Sequence, residues 1–329
     1  MAISTNEITR YDATNVREDL ANVIYNISPV DVPLMSNIGR ENVKNTYFEW
    51  QTDVLASAVT TNAVLEGDQI TSADARAATD RVGNYTQISR KVVEVSGTLE
   101  AVDKAGMRSY LAYELAKAAS ELKRDMEAVL TSNQVAFAGA TTTARKTAGL
   151  GGWIITNSYK GAGTTAAAPV MSSGGANLSG YPTTAAVAGT ARAFTSTLLK
   201  AAAKDVWTQG GKLKMLMVGP FNKTVFSTFS GIATPYRDIA PGKQADIVGA
   251  ADVFISDFGE IAVVANRFQP EGNGYLVDPD FASVGYLRNF RTEVMSKTGD
   301  SERRMLIVEF GLKVRQQKAM AVIRDLSTS

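Results

Sequence analysis

Residues 107–134, MRSYLAYELAKAASELKRDMEAVLTSNQ, are the stretch of sequence that decides the fold. The stretch has no proline, and its apolar residues recur at intervals of three and four, which predicts an amphipathic helix with a single buried face. We predict that its core is formed by Leu111, Leu115, Leu122 and Met126, with Ala118 and Val129 in the same stripe. Gly106 is expected to separate this helix from a shorter one before it, because glycine disfavours a helix interior.

The opposite face of the predicted helix carries charged residues of both signs. Lys117–Glu121 and Lys123–Glu127 are spaced i,i+4, the spacing at which side chains on one helix face meet. We therefore expect both pairs to form salt bridges on the face away from the core.

Two strand-like stretches precede the helix, TYFEWQT at 46–52 and YTQISRKVVEVS at 85–96. Both are rich in β-branched and aromatic residues, as strands are. The residues between them are mainly small or polar, with few large apolar side chains. We expect a long hairpin whose poorly packed tip rests on another molecule, because so long a loop is unusual inside a compact domain.

The N-terminal residues predict an arm with one short helix. Leu20, Val23, Ile24 and Ile27 recur at helical spacing, and Pro29 and Pro33 then favour an extended path. An apolar stripe this small cannot form its own core. We expect that something other than the arm covers it.

Beyond the helix the chain predicts a mixed α+β region. Residues 156–190 are dominated by Ala, Gly, Ser and Thr, and we expect a surface insertion there. The patterns that follow predict helices at 194–209 and 220–229, and strands at 212–218, 252–255, 260–266 and 274–277. Residues 306–314 alternate, with Leu306, Val308, Phe310, Leu312 and Val314 on one face and Glu309, Lys313 and Arg315 on the other. We expect a turn at 316–318 and a second strand through Ile323, which together make a hairpin.

Composition excludes several kinds of chemistry. The 329 residues include no histidine and no cysteine, so disulfides, thiolate nucleophiles and imidazole bases are all excluded. The 34 Lys and Arg residues nearly balance the 33 Asp and Glu residues. The chain therefore has no large excess of positive charge with which to bind nucleic acid or an anionic membrane.

The alternative of an enzyme rests on Tyr113 and Lys117, which have the Tyr-x-x-x-Lys spacing of proton-transferring reductases. That chemistry needs a glycine-rich nucleotide turn before the tyrosine, and the chain has none. Asp278 and Asp280 could donate oxygens to a hard cation. Two carboxylates on a turn, however, more often accept hydrogen bonds from the backbone of that turn. We predict no catalytic, cofactor-binding or metal site.

Several of these segments together resemble the major capsid proteins of tailed bacteriophages with the Hong Kong 97-type fold. The resemblance is most specific between residues 17 and 134, and weakest at 156–190. The matching segments are Arg17–Leu20 with Ile27–Pro29, Pro33–Ser36, Thr46–Asp53, Glu66–Asp68, Arg81–Gln87, Glu100–Gly106, Glu121–Glu127 and Leu306–Phe310.

The resemblance implies an α+β capsid fold with an extended β-hairpin loop, a long spine helix at about 107–134, a peripheral-domain sheet and an axial domain. Its boundaries on this chain would be an N-terminal arm at 1–45, the extended loop at 46–95, the peripheral domain with the spine helix at 96–137, the axial domain at 138–290 and peripheral-domain strands at 291–329. Only about 45 residues precede the loop, too few for a separate scaffolding domain, so we expect the arm to stay in the mature shell.

The function implied is that of a major capsid protein, not an enzyme. Copies would self-assemble in the host cytoplasm, through pentamers and hexamers, into the icosahedral head shell that encloses phage double-stranded DNA, and the protein would reside in the virion. Portal, scaffolding and cement or decoration proteins are further partners in such a shell, with only weak nonspecific contact to DNA and no membrane. The expected inter-subunit contacts are Leu20, Val23, Ile24, Ile27, Trp50, Glu66 and Asp68. An encapsulin-like compartment shell shares this fold and remains an alternative, as does the Tyr/Lys reductase.

Overall fold

The computed structural model of the protein describes residues 31–67, 69, 73, 78–104, 106–173, 179–229, 252–297 and 299–329. The arm residues Leu20, Val23, Ile24 and Ile27 lie outside these ranges, as does Asp68. The helices are α1 (Pro33–Asn37), α2 (Gly97–Ala101), α3 (Tyr110–Thr131), α4 (Leu150–Trp153), α5 (Ser196–Thr208) and α6 (Pro220–Ser227).

The strands form two larger sheets and two short ribbons. They are β1 (Gly39–Asn42), β2 (Tyr47–Thr52), β3 (Asp80–Tyr85), β4 (Gln87–Ser96), β5 (Ser158–Tyr159), β6 (Val170–Met171), β7 (Pro182–Thr184), β8 (Met215–Val218), β9 (Val253–Ser256), β10 (Gly259–Ala265), β11 (Gly274–Val277), β12 (Ala282–Val294), β13 (Ser301–Val314) and β14 (Ala321–Ile323). The sheet orders are β1-β12-β13-β4 and β5-β14-β11-β8-β10-β9, and β2-β3 and β6-β7 form the ribbons.

The long helix is α3, and its 22 residues span about 33 Å. The Ser109 hydroxyl accepts a hydrogen bond from the backbone N–H of Ala112 and caps its first turn. Leu111, Leu122 and Met126 are buried, and Leu115 is half-buried against the same core. The shorter helix predicted before Gly106 is α2.

The predicted salt bridges along α3 are wrong. Lys117 pairs with Glu114 at 3.7 Å, and Glu121 faces Lys91 of β4 at 3.9 Å. Glu127 is fully buried and makes polar contacts within the core. Spacing within one helix did not reveal that α3 packs against β4, which draws Glu121 toward a strand.

The predicted hairpin forms, but with a different second strand. β2 pairs antiparallel with β3, from Tyr47–Tyr85 to Thr52–Asp80, whereas β4 pairs with β13. The two strands divide at Thr86, which is buried and donates its hydroxyl to Glu309 at 2.8 Å. This polar anchor ends the ribbon, and the chain then enters the four-stranded sheet.

Alternation along β13 is confirmed for its apolar face, where all five predicted residues from Leu306 to Val314 are buried. Glu309 on the other face is buried too, because Arg145 and Arg288 both pair with it. Burial raises the pKa of Glu309, but hydrogen bonds from Thr86 and Arg288 outweigh that effect and lower it.

The predicted C-terminal hairpin is wrong, because β13 and β14 belong to different sheets. β13 lies between β12 and β4, and β14 lies between β11 and β5. The Gln317–Ala319 turn carries the chain from one sheet to the other. β12, the 13-residue strand beside β13, was not predicted from the sequence.

The six-stranded sheet is covered on both faces. In β8, Leu216 and Val218 pack with α5 and α6, while Met215 and Met217 point into a second core shared with α3, α4 and the four-stranded sheet. A strand buried on both faces reads as a continuous apolar run, as MLMV does. The predicted elements from residue 194 to 277 are confirmed as α5, β8, α6, β9, β10 and β11.

The segment 156–190 is more than a surface insertion. Met171 is buried in the shared core, and the backbone N–H of Ala136 donates to Pro182 O at 3.0 Å. Gly180 forms a bridge to β3, donating its N–H to Arg81 O at 2.7 Å and accepting from the N–H of Gly83 at 2.9 Å. The segment therefore braces the base of the β2-β3 ribbon.

Leu122→Ala should lower the free energy of unfolding by about 2–5 kcal/mol, because Leu122 is buried in the shared core and truncation leaves a cavity. The neighbouring Lys123→Ala, on the exposed face, should change it by less than about 0.5 kcal/mol. Urea denaturation of the isolated chain measures both changes in the free energy of unfolding. Equal effects would contradict the assigned orientation of α3.

Candidate functional site

The most exposed apolar side chains of the described chain lie in the loop that leaves β2. Leu55 is 93% exposed and Leu65 is 82% exposed. Val54, Val59 and Val64 are also largely exposed. The expectation of few large apolar residues at the tip is therefore wrong for residues 54–65, which we call the apolar loop. Single exposed apolar residues are common, but five within twelve residues are unusual, which makes the apolar loop the candidate contact surface.

Trp50 lies at the base of this loop and packs within its own subunit. Its ring stacks on Phe48 at 5.8 Å and lies 5.4 Å from Trp153, and the Lys313 ammonium is 5.9 Å from the ring centroid. The indole N–H donates to Val314 O at 3.0 Å. Trp50 thus fixes the direction in which the loop leaves the body. Glu66 is exposed at the far end of the loop.

Three tyrosines brace the other side of the ribbon. Tyr47 and Tyr85 lie 4.7 Å apart, and Tyr181 from the 156–190 segment packs edge-on against both, at 5.9 and 5.3 Å. Burial, together with the nearby Glu49 carboxylate, raises the pKa of Tyr47 to about 12. Gly83 leaves room for this ring, because a Cβ there would lie 2.6 Å from the Tyr47 hydroxyl and would displace it.

Glu127 joins three parts of the chain and was assigned wrongly from the sequence. Its carboxylate accepts hydrogen bonds from the backbone N–H groups of Leu34 at 2.7 Å and Met35 at 3.0 Å. It also accepts one from the Asn266 amide, just after β10, at 2.7 Å. Burial raises its pKa, which these hydrogen bonds oppose. Nothing in the helical pattern distinguishes this buried glutamate from an exposed one.

Glu41 links β1, an edge strand of the four-stranded sheet, to residues of β12 and β13 and to Arg315 just after β13. Its carboxylate accepts hydrogen bonds from Ser283 at 2.9 Å, from Lys313 at 2.7 Å and from Arg315. Burial alone would raise the pKa of Glu41, but hydrogen bonds from Lys313 and Arg315 lower it to about 2. Together Glu41 and Glu127 hold residues 33–42 on the body, so the point where the preceding arm joins the body is fixed.

The residues of the enzyme alternative are not brought together into a site. Lys117 is engaged by Glu114 rather than by Tyr113. Lys214 pairs with both Asp278, at 3.3 Å, and Asp280, so these carboxylates form a structural ion pair. Among the described residues, no three acidic side chains lie close enough together to hold a metal ion. Within the same ranges, no helix has the length and apolarity needed to cross a membrane.

Comparisons with known proteins agree with this fold. The chain matches the sequence profile described as SU10 major capsid protein over residues 4–327. It is 28% identical over 350 aligned positions to a curated protein named major capsid protein from Escherichia phage Phieco32, covering 95% of each.

Solved structures show the same likeness. A chain of the Cyanophage A-1(L) capsid asymmetric unit has a TM-score of 0.69 at 15% identity, covering 97% of this chain and 99% of that one. A Gordonia phage Cozz chain has a TM-score of 0.60 at 13% identity, with 99% and 98% covered. A native GTA particle capsid computed with C5 symmetry has a TM-score of 0.58 at 14% identity, with 98% and 100% covered. These likenesses confirm the Hong Kong 97-type capsid fold.

Glu127→Gln should destabilise the subunit although it preserves the shape of the side chain. Three donors face this carboxylate, and the glutamine amide would present its own donor to one of them. Losing one charge-assisted hydrogen bond should cost about 1.5–3 kcal/mol. Glu121→Gln, half-exposed on the same helix, is the matched control. The midpoint temperature of thermal unfolding measures both effects. If both substitutions lower it equally, this role of Glu127 is contradicted.

The stabilisation provided by Glu41 should depend on pH. Its pKa is lower in the folded subunit, so the stabilisation is complete above the ordinary value of 4.5 and is lost as pH falls toward about 2. Glu41→Gln should therefore lower the urea midpoint at pH 7, and the gap from the unsubstituted chain should narrow at pH 3 and below. A gap that stays constant from pH 7 to pH 2 would be the opposite result.

Proposed function

This chain belongs to the SU10 major capsid protein family, and from that premise we propose how its copies build the icosahedral head shell that encloses phage double-stranded DNA. Copies associate as pentamers and hexamers. The observation that carries the proposal is the apolar loop, whose aliphatic side chains project from the body without cover from the described part of the chain.

The apolar loop supplies contact energy between subunits. Burying one Val or Leu side chain contributes about 1.5–3 kcal/mol. Five of them exceed what a single surface salt bridge provides, which is about 0–1 kcal/mol. Much of this gain is offset by the lost freedom of the associating subunits. Each contact is therefore modest, and a shell becomes stable because every subunit makes several.

We propose the following division into domains. We assign the extended loop to 46–86, since β4 pairs within the four-stranded sheet. The peripheral domain consists of that sheet with α3, and the axial domain consists of the six-stranded sheet with α5 and α6. The arm, with Leu20, Val23, Ile24 and Ile27, contacts neighbouring copies, as do Glu66 and Asp68. The bonds of Glu127 and Glu41 set where this arm leaves the body.

The role is structural rather than enzymatic, and the protein resides in the virion after assembly in the host cytoplasm. A near-neutral chain suits a container whose inner wall touches DNA only weakly. Portal, scaffolding and cement proteins are the further partners that such a shell uses. The encapsulin alternative is weaker, because the curated relative is a phage protein.

The proposal is tested by expressing the full chain and examining the product by negative-stain electron microscopy. Closed shells are expected. A chain that remains monomeric at every concentration would contradict self-assembly.

Replacing Leu55 and Leu65 together by serine should abolish shells while the subunit stays folded. Both side chains are almost fully exposed, so their removal takes nothing from the core. Microscopy and thermal unfolding report the two effects separately. Ala58→Ser with Ala63→Ser, exposed in the same loop, is the matched control and should still assemble. Normal shells from the leucine variant would show that the apolar loop is not a contact.

A further inference from the structure

A cleft between α1, α3 and the four-stranded sheet has an apolar lining that the described part of the chain leaves open. We call it the α1-α3 cleft, and its volume is about 470 Å³. Pockets that bury a ligand measure about 300–1,000 Å³, so this cleft has room for several side chains. Its apolar lining is formed by Val32, Met35, Ala119, Tyr286, Phe290 and Leu306.

The rim of the α1-α3 cleft is positively charged. Arg40 of β1 and Lys123 of α3 line it together with Ser36, and all three are exposed. Among the described residues, neither Arg40 nor Lys123 forms a salt bridge with a carboxylate. An occupant that fits this cleft therefore combines aliphatic side chains with negative charge.

The residues that precede the cleft in the chain have this composition. Val32 lines the cleft, so residues 1–30 are attached to the body at its edge. Their side chains include four carboxylates and two arginines, which leaves two net negative charges. Their apolar stripe at helical spacing consists of Leu20, Val23, Ile24 and Ile27.

The chain can fold back from Val32 and bring this stripe to the cleft. Ser28 precedes Pro29 and Val32 precedes Pro33, and a residue before proline disfavours the helical conformation. Residues 28–32 therefore favour a bend between a helix at 16–27 and α1. Five extended residues span at most about 18 Å, which equals the length of about 18 Å expected for a helix at 16–27. The stripe can thus run back along the cleft.

We propose that residues 16–27 occupy the α1-α3 cleft of their own chain before assembly and leave it when copies associate. The occupant is the chain's own segment because covalent attachment through a short linker gives an effective concentration in the millimolar range, above that of separate subunits. Docking hides the apolar stripe from other subunits until assembly begins. The release step rests on the proposed function, in which this segment contacts neighbouring copies.

Disulfide trapping tests the docking directly, because the chain has no cysteine of its own. The full chain carrying Ile24→Cys and Ala119→Cys is oxidised with diamide as unassembled subunits, so that the two thiols lose their hydrogens to the diamide and form one disulfide. Non-reducing gels and intact-mass spectrometry should show monomers lighter by two hydrogen atoms. In the matched control, Tyr25→Cys with Ala119→Cys, the first thiol lies on the opposite face of the predicted helix, and both thiols should stay free.

Three results would overturn docking within the chain and leave the capsid role intact. Free thiols in the Ile24 variant would show that the cleft does not hold this segment. Disulfide-linked dimers would show that the cleft takes the segment of another copy. Equal trapping of the Ile24 and Tyr25 variants would show random collision rather than a docked face.

Release is tested with the same Ile24→Cys and Ala119→Cys variant. Chains locked by the disulfide should form no shells, and reduction with dithiothreitol should restore shells to the level of the unsubstituted chain. Normal shells from the locked chain would reject the release step. If the unsubstituted chain also forms no shells, the proposed function fails, whereas the disulfide result still decides the docking.

If the double variant does not fold, Ser36→Cys supplies a second measurement, because Ser36 is exposed at the rim of the cleft. A maleimide-linked polyethylene glycol should label this thiol slowly in the unassembled full chain. Labelling should become faster when Leu20→Asp and Ile24→Asp are added, because charges on the stripe prevent its docking. Equal labelling rates would overturn the inference.

Discussion

The buried Glu127 carboxylate is the interaction on which the arrangement of the whole subunit depends. A carboxylate removed from water is unfavourable unless donors surround it, and here three do so. Those donors come from α1 and from the end of β10, while Glu127 itself belongs to α3. One side chain therefore ties α1, α3 and the six-stranded sheet to one another.

The shared core makes this arrangement rigid. Met126 and Leu130 of α3 lie beside Val308 and Phe310 of the four-stranded sheet, and beside Met217 of the six-stranded sheet. Because interiors are packed as densely as organic crystals, neither sheet can shift without displacing α3. The apolar loop is thus carried on a fixed body, with Trp50 fastening its base to β13. Rigidity in the body and exposure in the loop are what a repeated contact between identical subunits requires.

The sequence predicted local elements well and pairings poorly, for a physical reason. The stripe of α3 and the alternation of β13 are properties of neighbouring residues, so periodicity reveals them. The split at Thr86 depends on its hydroxyl meeting Glu309, 223 residues away, and no local pattern encodes that. The same applies to Glu127, whose partners are more than 90 residues distant. β12 was missed because glycine, arginine and asparagine interrupt its apolar pattern where it crosses from buried to exposed surroundings.

Exposed apolar surface is a hazard for a subunit before assembly, and this chain places it where the hazard is small. Leu55 and Leu65 lie in irregular backbone rather than in a strand, so they do not offer a flat template for aggregation. β9 is only four residues long, which limits pairing with foreign strands. A contact built from short apolar segments is weak for any one partner, and an assembly becomes stable only when each copy makes several such contacts. Selectivity for the shell over disordered aggregates therefore follows from geometry, because only copies held in the correct orientation satisfy all the contacts simultaneously.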